Sequence, residues 1–490
     1  YTLSLHDALP ILRVLEGLEP KKVFEYFEDL TQIPRGSGNE AGAAEYCMEF
    51  AKKRGLSASR DEFNNVVIVK EASAGYEDAP TVIIQGHLDM VCEKEADCTI
   101  DFAKDPLDVA VDGDFIYAKG TTLGGDDGIA VAIALAILDD DSLSHPRLEC
   151  LFTTGEEVGL LGAKDFDASH MKGRRLINID SEEEGIFTVS CAGGMDGILH
   201  IPAVYQETEG VRYTVTVDGL QGGHSGAEIH KEHGNSNILM GRALCWLDEV
   251  VNFRIAGLSG GLMDNAIPRS TKAVLYVPEE ECQAFEDRLN TLDAIYKIEF
   301  AASDAGVTVS FVSEGKASGQ ALTPKCAAIL MYVLHMVPNG VIKDSMDIPG
   351  LVQTSLNLGI LRLTNEEATA TFSIRSSIES EKQELGDRLR HCVEFLGGTY
   401  EEKGSYPGWE YRHESELRDT CVSVFKKMYD RNPKVMAIHA GLECGLFSGK
   451  MEGLDCVSIG PNLYDIHTPK ERLSISSTKR IYEFVVEVLK

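Results

Sequence analysis

Acidic and imidazole side chains recur at the ends of several strand-like segments of this sequence. The candidates follow an apolar run or stand in a glycine-rich turn or loop: His87, Asp89, Asp126, Glu156, Glu157, Asp180 and His467. Open α/β sheets bind ligands beyond the carboxyl ends of their strands, so we expect these side chains to converge. Mixed imidazole and carboxylate ligands suit a pair of zinc or similar divalent ions. A further carboxylate beside such a pair is typical of metal-assisted hydrolysis.

His87 and Asp89 lie two residues apart, just after the apolar run 81–85. On an extended segment such side chains point to the same side, so Asp89 can reach the ring of His87. A carboxylate bound to the far nitrogen of a ligating imidazole fixes its tautomer and raises its basicity. The alternative is an ordinary hydrogen-bonded loop histidine, because this short motif is weak evidence alone.

Asp126 stands in the glycine-rich turn 123–128. Its glycines allow close approach of the backbone, which a carboxylate shared by two cations needs. Asp126 could instead cap the buried helix predicted from the ten-residue apolar run 129–138. Asp127 is the more natural cap of that helix.

Glu156 and Glu157 are adjacent, and a solvated acidic turn is the simplest interpretation of the pair. In a dinuclear site, adjacent carboxylates can divide the work. One binds a metal while its neighbour takes the proton from the attacking water.

The composition limits the possible classes of protein. A chain of 490 residues, 43% of them hydrophobic, can form at least two domains with cores of their own. Its net charge of −32 argues against binding to nucleic acids or anionic membranes, and is consistent with solubility in the cytoplasm. The 12 cysteines form no Cys-x-x-Cys pair and are expected to be reduced, cytoplasmic thiols. No apolar run reaches the roughly 18 residues that span a bilayer.

The order of elements predicts an interrupted α/β domain. Residues 1–11 lack the basic start of a secretory signal, and we interpret them as a non-native N-terminal scar. Strands and helices alternate over 12–190, which predicts a mostly parallel sheet with helices on both faces. Residues 191–396 break this alternation and are predicted to be an inserted domain, and residues 397–490 return to the first domain.

The inserted segment contains a weak internal repeat. Each half reads strand, helix, two strands, helix, and the halves start at 211–217 and 306–311. The loop 222–226 of the first half corresponds to residues 316–319 of the second. Such repeats usually mean a duplicated unit, so an α+β domain of two related halves is predicted.

Taken together, the motifs resemble those of the M20 metallopeptidases, within the wider zinc aminopeptidase-like hydrolases, and in particular their aminoacyl-histidine dipeptidase branch. The resemblance covers nearly the whole chain from about Leu12. The motifs that carry it are Gln85-Gly86-His87-Leu88-Asp89-Met90, Thr121-Thr122-Leu123-Gly124-Gly125-Asp126-Asp127-Gly128, Thr154-Gly155-Glu156-Glu157-Val158-Gly159, Asn178-Ile179-Asp180, Gly222-Gly223-His224-Ser225-Gly226, Asn265-Ala266-Ile267-Pro268-Arg269, His439-Ala440-Gly441-Leu442-Glu443-Cys444-Gly445 and His467-Thr468-Pro469.

This resemblance implies a three-layer α/β/α catalytic domain with an inserted α+β lid. It implies a cytoplasmic metallo-dipeptidase with two zinc ions per chain, for which cobalt or manganese can substitute. The expected substrates are dipeptides with a free amino end, including carnosine-like Xaa-His, and a homodimer is compatible with it. Two alternatives stay open: a related tripeptidase or N-acyl amino acid deacylase, and a catalytically silent metal-bound binding protein. An intact Glu156 argues against the silent protein, which needs no base.

The resemblance also assigns roles to single residues. Those implied for the catalytic domain are His87 on one metal, His467 on the other, Asp126 as the bridge, Glu157 and Asp180 completing the ligand shells, Glu156 as general base, and Asp89 orienting His87. Those implied for the lid are His224 on the developing oxyanion, Asn265 on the tetrahedral intermediate, Arg375 on the substrate carboxylate, and His439 and Gly441 in substrate binding. A hydrogen-bonded loop residue is the alternative for His224, and a surface salt bridge is the alternative for Arg375.

Overall fold

The computed structural model describes residues 13–490, so the predicted N-terminal scar lies outside the described residues. The chain divides into two compact units. The first unit comprises residues up to Val189, then 412–436 and 442–490, and the second comprises 190–411 and 437–441. Within residues 13–490, no helix is both long and apolar enough to cross a membrane.

The first unit begins with alternating strands and helices. Its strands are β1 (Ser57–Arg60), β2 (Val66–Lys70), β3 (Val82–His87), β4 (Val109–Asp112), β5 (Phe115–Ala118), β6 (Leu148–Thr153), β7 (Arg175–Asn178) and β8 (Ile186–Cys191). Its helices are α1 (Lys21–Thr31), α2 (Ala41–Arg54), α3 (Gly125–Asp139) and α4 (Leu161–Asp165). Helix α2 ends as its sequence predicts, at a left-handed Gly55 after three basic residues.

The second unit follows. Its strands are β9 (Gly193–Pro202), β10 (Tyr205–Asp218), β11 (Gly223–His224), β12 (Arg254–Gly260), β13 (Ala266–Ile267), β14 (Thr271–Val277), β15 (Thr308–Leu322), β16 (Gly340–Asp344), β17 (Val352–Leu363), β18 (Glu367–Ser376) and β19 (Thr399–Tyr406). Its helices are α5 (Ser236–Asp248), α6 (Cys282–Glu299), α7 (Pro324–Met336) and α8 (Glu379–Phe395).

The chain then completes the first unit. The last strands are β20 (Lys434–Ile438), β21 (Asp455–Ser458), β22 (Leu463–Tyr464) and β23 (Arg472–Ser474). The last helices are α9 (Glu416–Tyr429), α10 (Glu443–Lys450) and α11 (Ile475–Val488). The predicted α/β class is therefore confirmed.

The main sheet of the first unit has the order β1-β2-β6-β3-β7-β21-β8-β20. Strands β6, β3, β7 and β21 are parallel neighbours, whereas β1, β2 and β8 are attached in the antiparallel sense. The mostly parallel sheet that the sequence predicts is thus correct for the centre. Because four adjacent parallel strands end at one edge, the turns after them bring their side chains together.

Helix α3 fixes the position of the glycine-rich turn at its start. Every residue from Ile129 to Leu138 is buried, and the helix packs against β3 and α1. A helix that is apolar on all sides must be enclosed, so the buried helix predicted from this run is confirmed.

The sheet of the second unit has the order β15-β10-β14-β12-β17-β18-β9-β19, with β16 also paired to β17. The order β10-β14-β12 in one half is mirrored by β9-β18-β17 in the other, and each half has a further strand at its edge. The structure differs from the predicted arrangement of two halves in the first strand of the second half, which the sequence placed at 306–311. Residues 308–322 form β15 beside β10, and β9 takes the equivalent position in the second half.

Two further expectations are corrected by strand pairing. Residues 316–319, aligned above with the loop 222–226, lie inside β15 rather than in a loop. Strand β19 lies beyond the predicted boundary at 396, yet it pairs with β9 in the sheet of the second unit. Both differences come from long-range antiparallel pairing, which local alternation does not report.

The second sheet has one apolar and one polar face. Leu356, Ile374 and Met195 stand in register and join the core formed with helices α5 to α8. The neighbouring positions in register carry polar residues on the other face: Ser355, Arg375, Asn357, Ser373 and Asp196. A strand alternates its side chains between faces, so a sheet with helices on one side can present a row of polar groups on the other.

Candidate active site

Asp126 lies between two histidines, with one carboxylate oxygen toward each. Its Oδ1 is 3.0 Å from Nε2 of His87, and its Oδ2 is 3.2 Å from Nε2 of His467. His87 ends strand β3, and His467 comes from the loop between β22 and β23. A carboxylate with this orientation can bridge two cations.

Two further carboxylates complete the groups around these histidines. Asp180, two residues after β7, has Oδ1 3.8 Å from His87 Nε2. Glu157 Oε1 is 3.1 Å from His467 Nε2. The ligand atoms of His87, Asp126 and Asp180 lie within 4.8 Å of one another, as do those of Asp126, Glu157 and His467. Imidazole and carboxylate donors in these numbers fit zinc or a similar divalent ion at each position.

Ligand atoms of His87, Glu156 and Glu157 also lie within 4.8 Å of one another. Of the two glutamates, Glu157 is the one in contact with His467. Both glutamates stand after β6, so all five predicted metal ligands and the predicted base lie around one edge of the sheet.

Asp89 is fully buried beneath this arrangement. Its Oδ1 is 3.4 Å from Nδ1 of His87. Its two oxygens also accept hydrogen bonds from the backbone N–H groups of Glu156, at 3.1 Å, and Glu157, at 3.2 Å. Asp89 therefore fixes both the imidazole and the turn that carries the two glutamates.

The ionisable groups at the site shift one another's pKa values. Burial alone would lower the pKa of His87, but hydrogen bonds to Asp126 and Asp89 raise it well above its ordinary value. Hydrogen bonds to Asp126 and Glu157 raise the pKa of His467 to about 10. Burial, with Asp127 nearby, raises the pKa of Asp180. Crowded carboxylates of this kind favour a cation among them.

Glu156, the predicted general base, has a carboxyl group with a raised pKa. Burial raises the pKa of its carboxyl to about 8, and the charges of Glu443 and Glu157 act in the same direction. A base works best when its pKa lies near the working pH.

Asp127 does not cap helix α3, so that expectation is wrong. The residue at the N-cap position is Gly124, and Asp127 Oδ2 instead accepts the backbone N–H of His87 at 3.1 Å. Its carboxylate therefore supports the end of β3, where the histidine must be placed.

Sequence reasoning missed three buried polar residues around the site: Arg35, Glu443 and Glu471. Glu443 lies in the motif 439–445, where its spacing from the metal-ligand candidates indicates no role. Its Oε2 accepts hydrogen bonds from Gln85 and from Thr153, and burial raises its pKa to about 7. Glu471 follows the His467 motif closely, and nearness to it was the one available signal. Arg35 stands in a short turn with no local sign of a role.

The predicted lid residues lie together within the second unit. Nδ1 of His224 accepts hydrogen bonds from the backbone N–H groups of Gly226, at 3.1 Å, and Ala227, at 3.0 Å. Because Nδ1 accepts these bonds, the ring proton is assigned to Nε2. Burial, together with the charge of Arg375, lowers the pKa of the ring. The neutral imidazole thus has an N–H group available as a hydrogen-bond donor.

Gly226 marks the point where the side chains of His224 and Arg375 and the backbone of His439 converge. A Cβ atom there would lie 3.0 Å from His224 Cε1, 3.2 Å from Arg375 Nε and 2.6 Å from the carbonyl oxygen of His439. Arg375 is only 8% exposed and has no ion pair within residues 13–490, which argues against a surface salt bridge. Its Nη1 donates to the hydroxyl of Tyr406 at 3.1 Å.

His439, Gly441 and Asn265 surround this cluster. His439 Nε2 is 2.7 Å from Ser355 Oγ, and burial with Arg375 lowers its pKa to about 3, so the ring is neutral. A Cβ at Gly441 would be 2.9 Å from the ring of Tyr406. Asn265 lies beside His224 because β11 pairs with β13, and both residues line a cavity of about 870 Å³.

The model of the peptidase family M20/M25/M40 matches residues 83–490 of this sequence. The chain belongs to this family. The match includes all the predicted metal ligands, the predicted base and the lid cluster.

Two relatives resemble this family member over nearly their whole length. It is 37% identical over 480 residues to the cytosol non-specific dipeptidase of Escherichia coli strain K12, covering 97% of this chain and 98% of the relative. The crystal structure of an aminoacylhistidine dipeptidase from Vibrio alginolyticus superposes with a TM-score of 0.90 at 33% identity, covering 97% of both chains.

A more distant structure shares the fold alone. Aminopeptidase PepT from Bacillus cereus has a TM-score of 0.54 at 14% identity, covering 96% of this chain and 98% of that one. The fold of this M20 chain is therefore shared with a peptidase of much lower sequence identity.

Proposed function

We propose that this M20 peptidase is a dinuclear metallo-dipeptidase that hydrolyses dipeptides with a free amino end. The observation that carries the proposal is the orientation of Asp126, whose two oxygens face His87 and His467 separately. The names of the two similar proteins, a non-specific dipeptidase and an aminoacylhistidine dipeptidase, support dipeptides as the substrate class.

The proposed metals are two zinc ions per chain, with cobalt or manganese able to substitute. His87, Asp126 and Asp180 would hold one ion, and Asp126, Glu157 and His467 the other. When bound, such ions polarise a scissile carbonyl group and make water acidic enough to act as a nucleophile near neutral pH.

Glu156 would carry the proton through the reaction. Its carboxylate accepts a proton from the attacking water as the new carbon–oxygen bond forms. It then delivers that proton to the departing amine as the carbon–nitrogen bond breaks. Asp89 supports this step because it holds the N–H groups of both Glu156 and Glu157.

The lid cluster would recognise the substrate and its developing charge. The Nε2–H group of His224 suits an oxyanion, and Asn265 beside it would support the tetrahedral intermediate. The guanidinium of Arg375 suits the substrate carboxylate, because its planar donors match two carboxylate oxygens. His439 and Gly441 would shape the same subsite.

Xaa-His dipeptides and other dipeptides are the proposed substrates, and the cytoplasm is the proposed location, as the relative's name indicates for that protein. The proposed partners are small peptides, without nucleic acid or membrane, and a homodimer is compatible with the proposal.

The decisive experiment is a substrate panel with zinc, cobalt or manganese added. It compares Xaa-His, other Xaa-Xaa, tripeptide and N-acyl amino acid substrates. Preference for dipeptides with a free amino end supports the proposal. A preference for tripeptides would favour a tripeptidase, and a preference for N-acyl substrates a deacylase. No turnover of any substrate by the metal-loaded protein would favour a binding protein.

Arg375→Lys should raise KM for dipeptides roughly 10- to 100-fold and change kcat less. The physical reason is the loss of a charge-assisted, two-point contact worth about 1.5–3 kcal/mol. Steady-state kinetics on a dipeptide and on its C-terminal amide provide the measurement and its control. The amide has no carboxylate, so an equal rise of KM on both substrates would contradict the assignment of Arg375.

We predict that one chain holds a complete site, whatever its oligomeric state, because the first half of its inserted segment supplies His224 and the second half supplies Arg375. The test mixes inactive His224→Ala chains with inactive Glu156→Ala chains under conditions of subunit exchange. We expect the mixture to stay inactive. Substantial recovery of activity would show that the lid histidine acts across subunits.

A further inference from the structure

Four consecutive backbone N–H groups surround the carboxylate of Glu471. Oε2 accepts from Leu123 at 2.7 Å and Gly124 at 3.0 Å, and Oε1 accepts from Gly125 at 2.7 Å and Asp126 at 3.3 Å. Glu471 is 2% exposed. One side chain therefore holds residues 123–126 of the turn, including Asp126 itself.

Glu471 also belongs to the loop that carries His467. It stands four residues after this histidine, and its backbone N–H donates to the carbonyl of Thr468 at 3.1 Å. The carboxylate thus ties the loop of His467 to the turn of Asp126.

Arg35 makes the matching connection on the other side of the turn. Its Nη1 donates to the carbonyl oxygens of Leu88, at 2.9 Å, and Asp89, at 3.0 Å, while Nη2 donates to the carbonyl of Gly124. Arg35 therefore ties the segment that follows His87 to the same turn.

These two residues account for the glycines of the motif. A Cβ at Gly124 would collide with the guanidinium of Arg35, as would one at Gly128. A Cβ at Gly125 would lie 3.2 Å from Glu471 Oε1 and 2.7 Å from Leu463 Cδ2. The glycines make room for Arg35 and Glu471, in addition to any ligand.

We propose that Glu471 and Arg35 are positioning residues that join the three loops of His87, Asp126 and His467 and so set the geometry of both metal positions. The inference rests on the proposed function, because it assumes that these three residues bind metal. Neither proposed residue is among the metal ligands. Each contacts backbone groups of these loops, whose positions determine where the ligand side chains lie.

Removing one of these contacts should lower the affinity for metal strongly and the stability of the fold only slightly. Residues that orient metal ligands typically contribute 10- to 100-fold to metal affinity. Glutamine in place of Glu471 keeps the shape of the side chain but has only one acceptor oxygen, which is neutral. Its NH₂ group would therefore face two of the four backbone N–H donors and could not accept from them. We therefore expect Glu471→Gln to bind zinc about 10- to 100-fold more weakly than the unaltered protein.

The experiment measures zinc affinity by competition with a chromophoric chelator, and measures the urea unfolding midpoint after chelation. The matched control is Asp465→Asn, which removes a carboxylate from the same loop. Asp465 is half exposed, and its carboxylate lies 3.5 Å from Arg472. This control should bind zinc as the unaltered protein does. Glu471→Asp keeps the charge but shortens the reach, so it should fall between Glu471→Gln and the unaltered protein.

The outcomes separate this inference from the proposed function. Failure of the unaltered protein to bind two zinc ions would overturn the metal assignment itself. Binding of two ions by the unaltered protein, with equal affinity in Glu471→Gln, would overturn only the positioning role. A lower unfolding midpoint with unchanged zinc affinity would also overturn it, because Glu471 would then serve stability alone. If Glu471→Gln does not fold, Glu471→Asp decides by the same measurements.

Discussion

Glu156→Gln should lower kcat at least about 100-fold, which corresponds to roughly 2.7 kcal/mol of transition-state stabilisation. Glutamine is nearly isosteric but cannot accept the proton of the attacking water. The turn itself should persist, because Asp89 holds it through the backbone N–H groups of residues 156 and 157. Metal content should therefore stay near that of the unaltered protein.

Glu157→Gln is the matched control for this experiment, since it makes the same change one residue along the same turn. Glu157 lies against His467, so this variant should lose metal as well as activity. Measurements of kcat and of metal content by elemental analysis separate the two roles. Near-normal turnover by Glu156→Gln, or equal metal loss in both variants, would remove Glu156 from its role as base.

Asp126→Ala should lose both metal ions and all measurable activity. The carboxylate contributes one oxygen to each group of ligands, so its removal leaves only two protein ligands at each position. Asp180→Ala, by contrast, should mainly affect the position next to His87. Elemental analysis of the two variants tests this difference, and two ions per chain in Asp126→Ala would exclude a bridge.

A chelator provides the companion test. It should abolish the activity of the unaltered protein, and added zinc, cobalt or manganese should restore it. Activity that survives complete removal of metal would contradict the proposed chemistry.

The metal-ligand candidates were accessible to sequence reasoning for a physical reason. Parallel strands of one sheet end at a common edge, so polar residues after β3, β6 and β7 had to lie near one another. The buried helix α3 was equally readable, because a ten-residue apolar run leaves few alternatives. In both cases the pattern and the structure are linked by local geometry.

What escaped prediction depends on contacts between distant parts of the chain. Glu471 binds a turn about 350 residues earlier, and Arg35 reaches a turn about 90 residues later. Asp127 looked like a helix cap, yet its carboxylate is taken by the backbone of His87. The prediction also chose the segment of β15, rather than β9, as the first strand of the second half. Either strand fits the same order of strands and helices along the chain, and only the pairing partners distinguish them.

The pairing of β9 with β19 has a consequence for how the chain can fold. These strands begin and end the long insertion, and Gly194 lies opposite Tyr406. Closing a flexible loop of about 200 residues would cost roughly 5 kcal/mol of chain entropy. Once the second unit has formed, its two ends are already side by side. The folded insertion then connects the two parts of the first unit as a short hairpin loop would. Those two parts can therefore assemble with little additional loss of chain entropy.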